Sequence, residues 1–314
     1  AQASGSLGLA PVLCVVAMAL VLASAADLDS WKTPSAKLNG RLTELELNSD
    51  LTQLALDGLP IGKVDVARIV DALALDTALT SVSLAACKLD TAEVVQLISA
   101  LKDIGSLKAI SLAWNKVGPR GAARLAAALA QERGVAPLKS LDLVGSQLGL
   151  EGAQKLARAL EKNTTLKVLD LSYSGLTQRG CSRLAIMLKS NRSLETVNME
   201  GNSAGSFGAE MLAGSLAVNG ALRSLNLARN ELGDRGAGEV ASMLEKNSTL
   251  TDLNLAGNDI SVRGARTLAS SLEKNKGLLN LDVSDNPLGK IGVKAFWNAL
   301  DTNTTLLTLT RDEM

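Results

Sequence analysis

LRSLNLARNELGDRGAGEVASMLEKNST, residues 222–249, is followed at once by a second version of itself, LTDLNLAGNDISVRGARTLASSLEKNKG, which starts at Leu250. Self-similarity at a fixed period between about 20 and 50 residues is the signature of a solenoid, in which each unit buries its apolar face only against its neighbours. Working outward on the pattern LxxLxLxxNxL gives nine starts: Leu51, Leu79, Leu107, Leu138, Leu166, Leu194, Leu222, Leu250 and Leu278. A tenth begins at Leu306 and runs to Met314. The spacing is 28 residues throughout, except for 31 between Leu107 and Leu138. The three extra residues fall around Arg133, Gly134, Val135, Ala136 and Pro137, a Gly/Pro-marked loop.

Each unit divides in two. The first half, such as LRSLNL, alternates apolar and polar residues, as a strand with one buried face does. An Asn closes the following turn at Asn115, Asn202, Asn230, Asn258 and Asn286, with Leu59, Cys87, Ser146 and Ser174 in that place elsewhere. Such an Asn can bond backbone groups that a tight turn leaves unpaired. The second half places Ala237, Val240, Ala241 and Leu244 at helical spacing. A Gly recurs near its start at Gly121, Gly152, Gly180, Gly208, Gly236, Gly264 and Gly292, which predicts close packing of helix on strand. No GxGxxG or Walker spacing accompanies these glycines, so they do not form a phosphate loop. The first two units have Asp65 and Glu93 there instead.

The unit LxxLxLxxNxLGxxGAxxLAxxLxxNxx resembles the ribonuclease-inhibitor-like class of leucine-rich repeats, found also in Ran GTPase-activating proteins and NOD-like receptors. The resemblance covers Leu51 to about Thr310. It implies an α/β horseshoe solenoid, with parallel strands on the concave face and helices on the convex one. Residues 51–314 form this domain, residues 27–50 a connector and N-terminal cap, and residues 1–26 a preceding hydrophobic helix. Within the connector, LTELEL from Leu42 reads as an initial strand.

Composition narrows the chemistry. Of 314 residues, 46% are hydrophobic but only 2% aromatic, which suits many thin Leu/Ala/Val layers better than one bulky core. Lys plus Arg equals Asp plus Glu at 32 each, a poor balance for a nucleic-acid binder. There is no His, so Ser–His and Cys–His nucleophile pairs and His-ligated zinc are excluded. Cys14, Cys87 and Cys181 show no metal or disulfide-framework spacing. Cys87 and Cys181 lie more than three units apart, too far to bridge. No cofactor or metal site is expected.

Leu7 to Ala26 carries no charge. Its densest part includes Val12, Leu13, Val15, Val16, Leu20, Val21 and Leu22, and Ala-Ser-Ala-Ala follows. Three readings stand: a cleaved signal or targeting sequence, a retained anchor long enough to span ~30 Å of hydrocarbon, or a helix buried in a protein partner. All three favour a membrane-associated, secretory or organellar protein over a cytosolic one.

The strand residues between the leucines build the inner surface. Its central column runs Ala55, Ser83, Ser111, Asp142, Asp170, Asn198, Asn226, Asn254, Asp282, Thr310. Asp142 and Asp170 sit side by side, but the neighbouring asparagines favour a repeated structural role over a catalytic carboxylate pair. A second column carries Lys108, Lys139 and Lys167, then Glu195 and Arg223. A third, at the strand end, carries Trp114, Gly145, Tyr173, Gly201, Arg229, Gly257 and Asp285. Trp114 and Tyr173 are two strands apart, ~10 Å, with Gly145 leaving room between them. Aromatics and Arg on a concave surface are the usual chemistry of binding hot spots, so these residues mark a partner-contact patch over the third to fifth units. Asn163, Asn191, Asn247 and Asn303 each begin an N-x-S/T sequence, a glycan acceptor if the chain crosses a secretory compartment.

The expectation is a non-enzymatic protein-interaction scaffold, tethered to or delivered across a membrane, as an accessory subunit of a larger membrane assembly. It would bind a protein by its concave face or an edge, and no nucleic acid. The resemblance leaves two alternatives, a regulator of a small GTPase and an innate-sensor module. The acidic tail of the Ran activating proteins and the nucleotide-binding domain of the sensors are both missing here.

Overall fold

The computed structural model describes residues 34–47, 51–74, 78–102, 104–130 and 138–312. The apolar segment Leu7–Ala26, Cys14 and the 133–137 loop lie outside the described residues. Within them, no helix is long and apolar enough to cross a membrane.

One parallel sheet runs in chain order through β1 (Gln53–Ala55), β2 (Ser81–Ser83), β3 (Ala109–Ser111), β4 (Ser140–Asp142), β5 (Val168–Asp170), β6 (Thr196–Asn198), β7 (Ser224–Asn226), β8 (Asp252–Asn254), β9 (Asn280–Asp282) and β10 (Thr308–Thr310). A helix follows each of the first nine strands. These are α2 (Lys63–Leu73), α3 (Thr91–Leu101), α4 (Gly118–Leu129), α5 (Gly149–Leu160), α6 (Thr177–Ser190), α7 (Gly205–Leu216), α8 (Gly233–Leu244), α9 (Val262–Lys274) and α10 (Gly289–Leu300). A further helix, α1 (Pro34–Leu47), precedes β1. The register is the one the repeat spacing implies, with Ala55, Ser83, Ser111 and Asp142 successive partners across the 31-residue step. Strands lie about 4.8 Å apart and packed helices 8–10 Å apart. A stack of both must therefore bend, with the strands on the inside.

The core lies between the two layers as columns of like residues: Leu141, Leu169, Val197, Leu225 and Leu253 from alternate strand positions, and Leu156, Leu184, Leu212, Val240 and Leu268 from the helices, all buried. Cys87 and Cys181 belong to this core as free thiols, and burial pushes both up to about 12. That leaves them inert as nucleophiles at neutral pH.

Two asparagine ladders stitch the units together. In the turn ladder, Asn202 donates to the carbonyls of Leu171 in the preceding unit and Met199 in its own, and its Oδ1 accepts from the N–H of Ser174 and Leu176. Cys87 and Ser174 imitate the donor half by bonding Leu56 and Leu143 carbonyls. Buried Ser146 does not: its Oγ has no partner. The second ladder sits where each helix returns to the sheet. Asn191 donates both amide hydrogens to the Leu160 and Asn163 carbonyls, and its Oδ1 takes the N–H of Ser193 and Leu194. Asn247 and Asn303 do the same in their units. These three asparagines are buried, so the folded protein has neither a free amide hydrogen nor space for a glycan there.

Two expectations are corrected. Leu42 to Leu47 belongs to α1, not to a strand: Leu38, Leu42 and Leu45 are buried at i, i+4 and i+7, a helical stripe laid over the first unit. The recurrent helix glycine relieves contact between helices, not between helix and strand. A Cβ on Gly152 would sit 3.2 Å from Ala122 Cβ of the preceding helix, and one on Gly292 would sit 2.9 Å from Ala265 Cβ. In α2 and α3 that place is given to an acidic residue that caps the helix: Asp65 accepts from Gly62 N and Glu93 from Asp90 N, and in α3 Asp90 accepts in return from Glu93 N to complete a capping box.

Candidate functional site

A ridge runs along one rim of the concave face, built from one residue of each turn. Every member has a left-handed backbone: Gly58, Ala86, Trp114, Gly145, Tyr173, Gly201, Arg229, Gly257 and Asp285 all have φ between 53° and 72°. That conformation ends the strand after three residues and turns the chain towards the helix. It favours Gly, so each large residue in the column stands at a conformational cost of about 1–3 kcal/mol.

Large residues and glycines alternate, and the large side chains lean over the glycines. A Cβ on Gly145 would collide with the Trp114 ring, and one on Gly201 with the Tyr173 ring. Leaning brings the Trp114 and Tyr173 rings to a centroid separation of 6.3 Å at 24°, a stacked pair closer than the strand spacing alone predicts. Both remain exposed, at 59% and 43%. Tyr173 Oη donates to Glu200 Oε1 at 2.5 Å, which holds the phenol above its ordinary pKa. Arg229 Nε approaches the same Glu200 at 3.5 Å, and its Nη2 reaches Asp285 at 3.3 Å. Asp285 N–H in turn donates to Asp312. The ridge is thus continuous from Trp114 to Asp312, aromatic at one end and tied at the other by Arg229 between two carboxylates.

Below the ridge lies the polar column. Its carboxylates and amides hold the chain at the strand end. Asp142, Asp170, Asn198, Asn226, Asn254 and Asp282 each accept, through Oδ1, the N–H two residues on. These are Asx turns, so the column is first of all structural. Asp142 and Asp170 are register partners. The free oxygen of Asp142 takes Ser111 Oγ at 2.7 Å, and that of Asp170 takes Asn198 Nδ2 at 2.9 Å. Burial raises the Asp142 carboxyl above its ordinary range, aided by the charges of Asp170 and Asp57 and opposed by the Ser111 and Val144 hydrogen bonds.

Lys108, Lys139 and Lys167 lie at the other rim, where the strands begin. Lys167 pairs with Glu195 at 2.6 Å, and Arg223 adds its charge to the same carboxylate. Lys108 and Lys139 have no ion-pair partner among the described residues. The structure therefore joins Trp114, Tyr173 and Arg229 in one ridge and Asp142 with Asp170 beneath it, and sets the lysines apart. Sequence columns did not single out Glu200. It sits one position before the ridge, and only the tilt of Tyr173 and Arg229 towards it shows its role.

Comparison with known proteins fits this architecture. A family model described as Leucine Rich repeat matches residues 106–126, 136–157, 162–185, 221–241, 246–269 and 274–296. No curated protein matches the chain by sequence. Among solved structures, the leucine-rich-repeat-containing protein LegL7 from Legionella pneumophila is 18% identical, covers 86% of each chain and superposes with a TM-score of 0.53. Leiomodin-1 Actin-Binding Site 2 is 24% identical over 41% of this chain and 77% of its own, at 0.39. The tropomodulin C-terminal domain of Caenorhabditis elegans is 15% identical over 43% and 83%, at 0.38. The first likeness shows the fold; the other two, with their low superposition, carry no argument. The repeat unit, its register, the family match and the likeness to LegL7 show a leucine-rich-repeat fold.

Proposed function

We propose that the protein is a non-enzymatic scaffold that binds a protein partner on its concave face, centred on Trp114 and Tyr173. The observation that carries this is the exposed, stacked aromatic pair on a preformed rigid surface. In a chain with three Trp and one Tyr, two of the four lie together in the open. Ordering such a surface costs little on binding, because its backbone is fixed by the sheet and its rings lean on glycines. Asp142 and Asp170, the carboxylate pair nearest the ridge, are engaged in turn formation, which supports recognition over catalysis.

Residues 1–26 add the second part of the reading: delivery to or across a membrane, as an accessory subunit of a membrane assembly. The test is affinity capture of the full chain from native membranes, with wild type, Trp114→Ala and Tyr173→Ala side by side. Hot-spot aromatics are worth about 2 kcal/mol or more, so each substitution should cut partner recovery by a factor of roughly 30. Equal recovery by all three proteins sinks the concave-face reading. Recovery of a soluble chain lacking residues 1–26 sinks the tether.

A further inference from the structure

We propose that the concave face over β1 to β5 seats a basic segment of the protein partner, with one Lys or Arg side chain stacked on the outer face of Trp114 and further basic side chains of the segment set against Asp142 and Asp170. This rests on the scaffold reading above and names the chemistry of what the scaffold holds.

Four observations converge. First, Trp114 offers an open face. Its inner face covers Gly145 and meets Tyr173, whereas the column on its other side continues with Ala86 and Gly58, which carry nothing large enough to shield it. A Trp face in that setting attracts cations more strongly than any other side-chain surface. Second, the carboxylates at this end are unmatched. Asp57, Asp142 and Asp170 have no ion-pair partner among the described residues, while at the far end of the ridge Arg229 serves Glu200 and Asp285. Third, Asp142 is held above its ordinary range first by burial and then by the charges of Asp170 and Asp57, and an incoming cation offsets the part due to charge. Fourth, there is room. Between Asp57 and Asp142 the floor is Ser83, Ala85, Ser111 and Ala113. Asp142 and Asp170 precede Gly145 and Tyr173 by three residues, within about 10 Å of chain. Successive side chains of one extended basic segment therefore meet ring and carboxylates. The lysines stand at the opposite rim, and none offsets the charge on Asp142.

Asn198, Asn226 and Asn254 form the same Asx turn in β6, β7 and β8, so Asp142→Asn with Asp170→Asn removes the charge and keeps the backbone. Asp282→Asn is the matched control, a carboxylate in the same column with a large residue, Asp285, but no aromatic at its ridge position. A phage-displayed library of random 12-residue peptides is selected on the full chain in detergent. Fluorescein-labelled winners are then measured by anisotropy against each variant, with folding followed by circular dichroism. The expected result is enrichment of Arg- and Lys-bearing peptides. Their affinity should fall at least tenfold with D142N/D170N and with Trp114→Ala, stay within twofold for D282N, and weaken as salt rises. Selection of acidic or uncharged peptides, failure to select any, or equal binding by D142N/D170N and D282N overturns the proposal. A partner captured from membranes that depends on Trp114 but ignores D142N/D170N also overturns it, while leaving the scaffold reading intact.

Discussion

Ser146 stands where five other units have asparagine, and its hydroxyl is the one buried side-chain oxygen among the described residues without a partner. The gap is consequential because this position carries bonds in both directions along the solenoid. Asn230, for example, donates its amide to the Met199 carbonyl of the preceding unit and its backbone N–H to Asn258 Oδ1 of the next. Ser146→Asn supplies the missing amide to the carbonyl of Leu112, and its oxygen to Asn115 and Val117 N–H. A net hydrogen bond is worth about 1 kcal/mol, and the removed orphan adds to the gain. We expect a higher urea midpoint with an unchanged denaturant slope. A lower midpoint would mean that the cavity at this turn is too small for an amide, and the ladder would then be set by volume before hydrogen bonding.

At the scale of the element, two glycines of α8 separate packing from propensity. A Cβ on Gly236 would lie 2.9 Å from Leu232 Cβ and 3.1 Å from Ala209 Cβ, neither of which can swing away. A Cβ on Gly238, two residues on, would meet nothing within 4 Å. Overpacking costs about 1–3 kcal/mol, whereas Gly→Ala in an open helix interior gains up to about 1 kcal/mol. Gly236→Ala is therefore expected to lower the melting temperature and Gly238→Ala to raise it, read in one pair of thermal scans. In α2 and α3 the same position carries Asp65 and Glu93, each of which accepts the backbone N–H of its helix's cap residue.

For the whole molecule, the 28-residue unit is the quantum of stability, because each unit touches only its neighbours and its removal brings two equivalent faces together. Deleting residues 222–249 should leave a cooperatively folded solenoid one strand shorter, detected by retained circular dichroism and a smaller denaturant slope. Deleting residues 222–235 alone puts a helix where a strand must go and should abolish the cooperative transition. If both deletions unfold the chain, nearest-neighbour packing is not what holds it. The first deletion also sets Gly201 beside Gly257 and removes Arg229, so it breaks the ridge while sparing Trp114 and Tyr173.

The repeat by itself determined the strand order, the register and the interior columns, because a 28-residue period of Leu admits one parallel stacking. It also brought Trp114, Tyr173 and Arg229 into one column and set the lysines in another. Tertiary structure alone decided how those columns are used. Left-handed turns make every ridge position costly for a side chain, and lean converts a ~10 Å strand interval into a stacked pair 6.3 Å apart. Burial and neighbouring charge distinguish Asp142 from its asparagine equivalents, and the inward hydrogen bonds of Asn191, Asn247 and Asn303 turn apparent glycan acceptors into staples. Periodicity reports which residues share a face, since it reflects backbone geometry. Which of them are free to bind depends on contacts between units, and those exist only once the units have stacked.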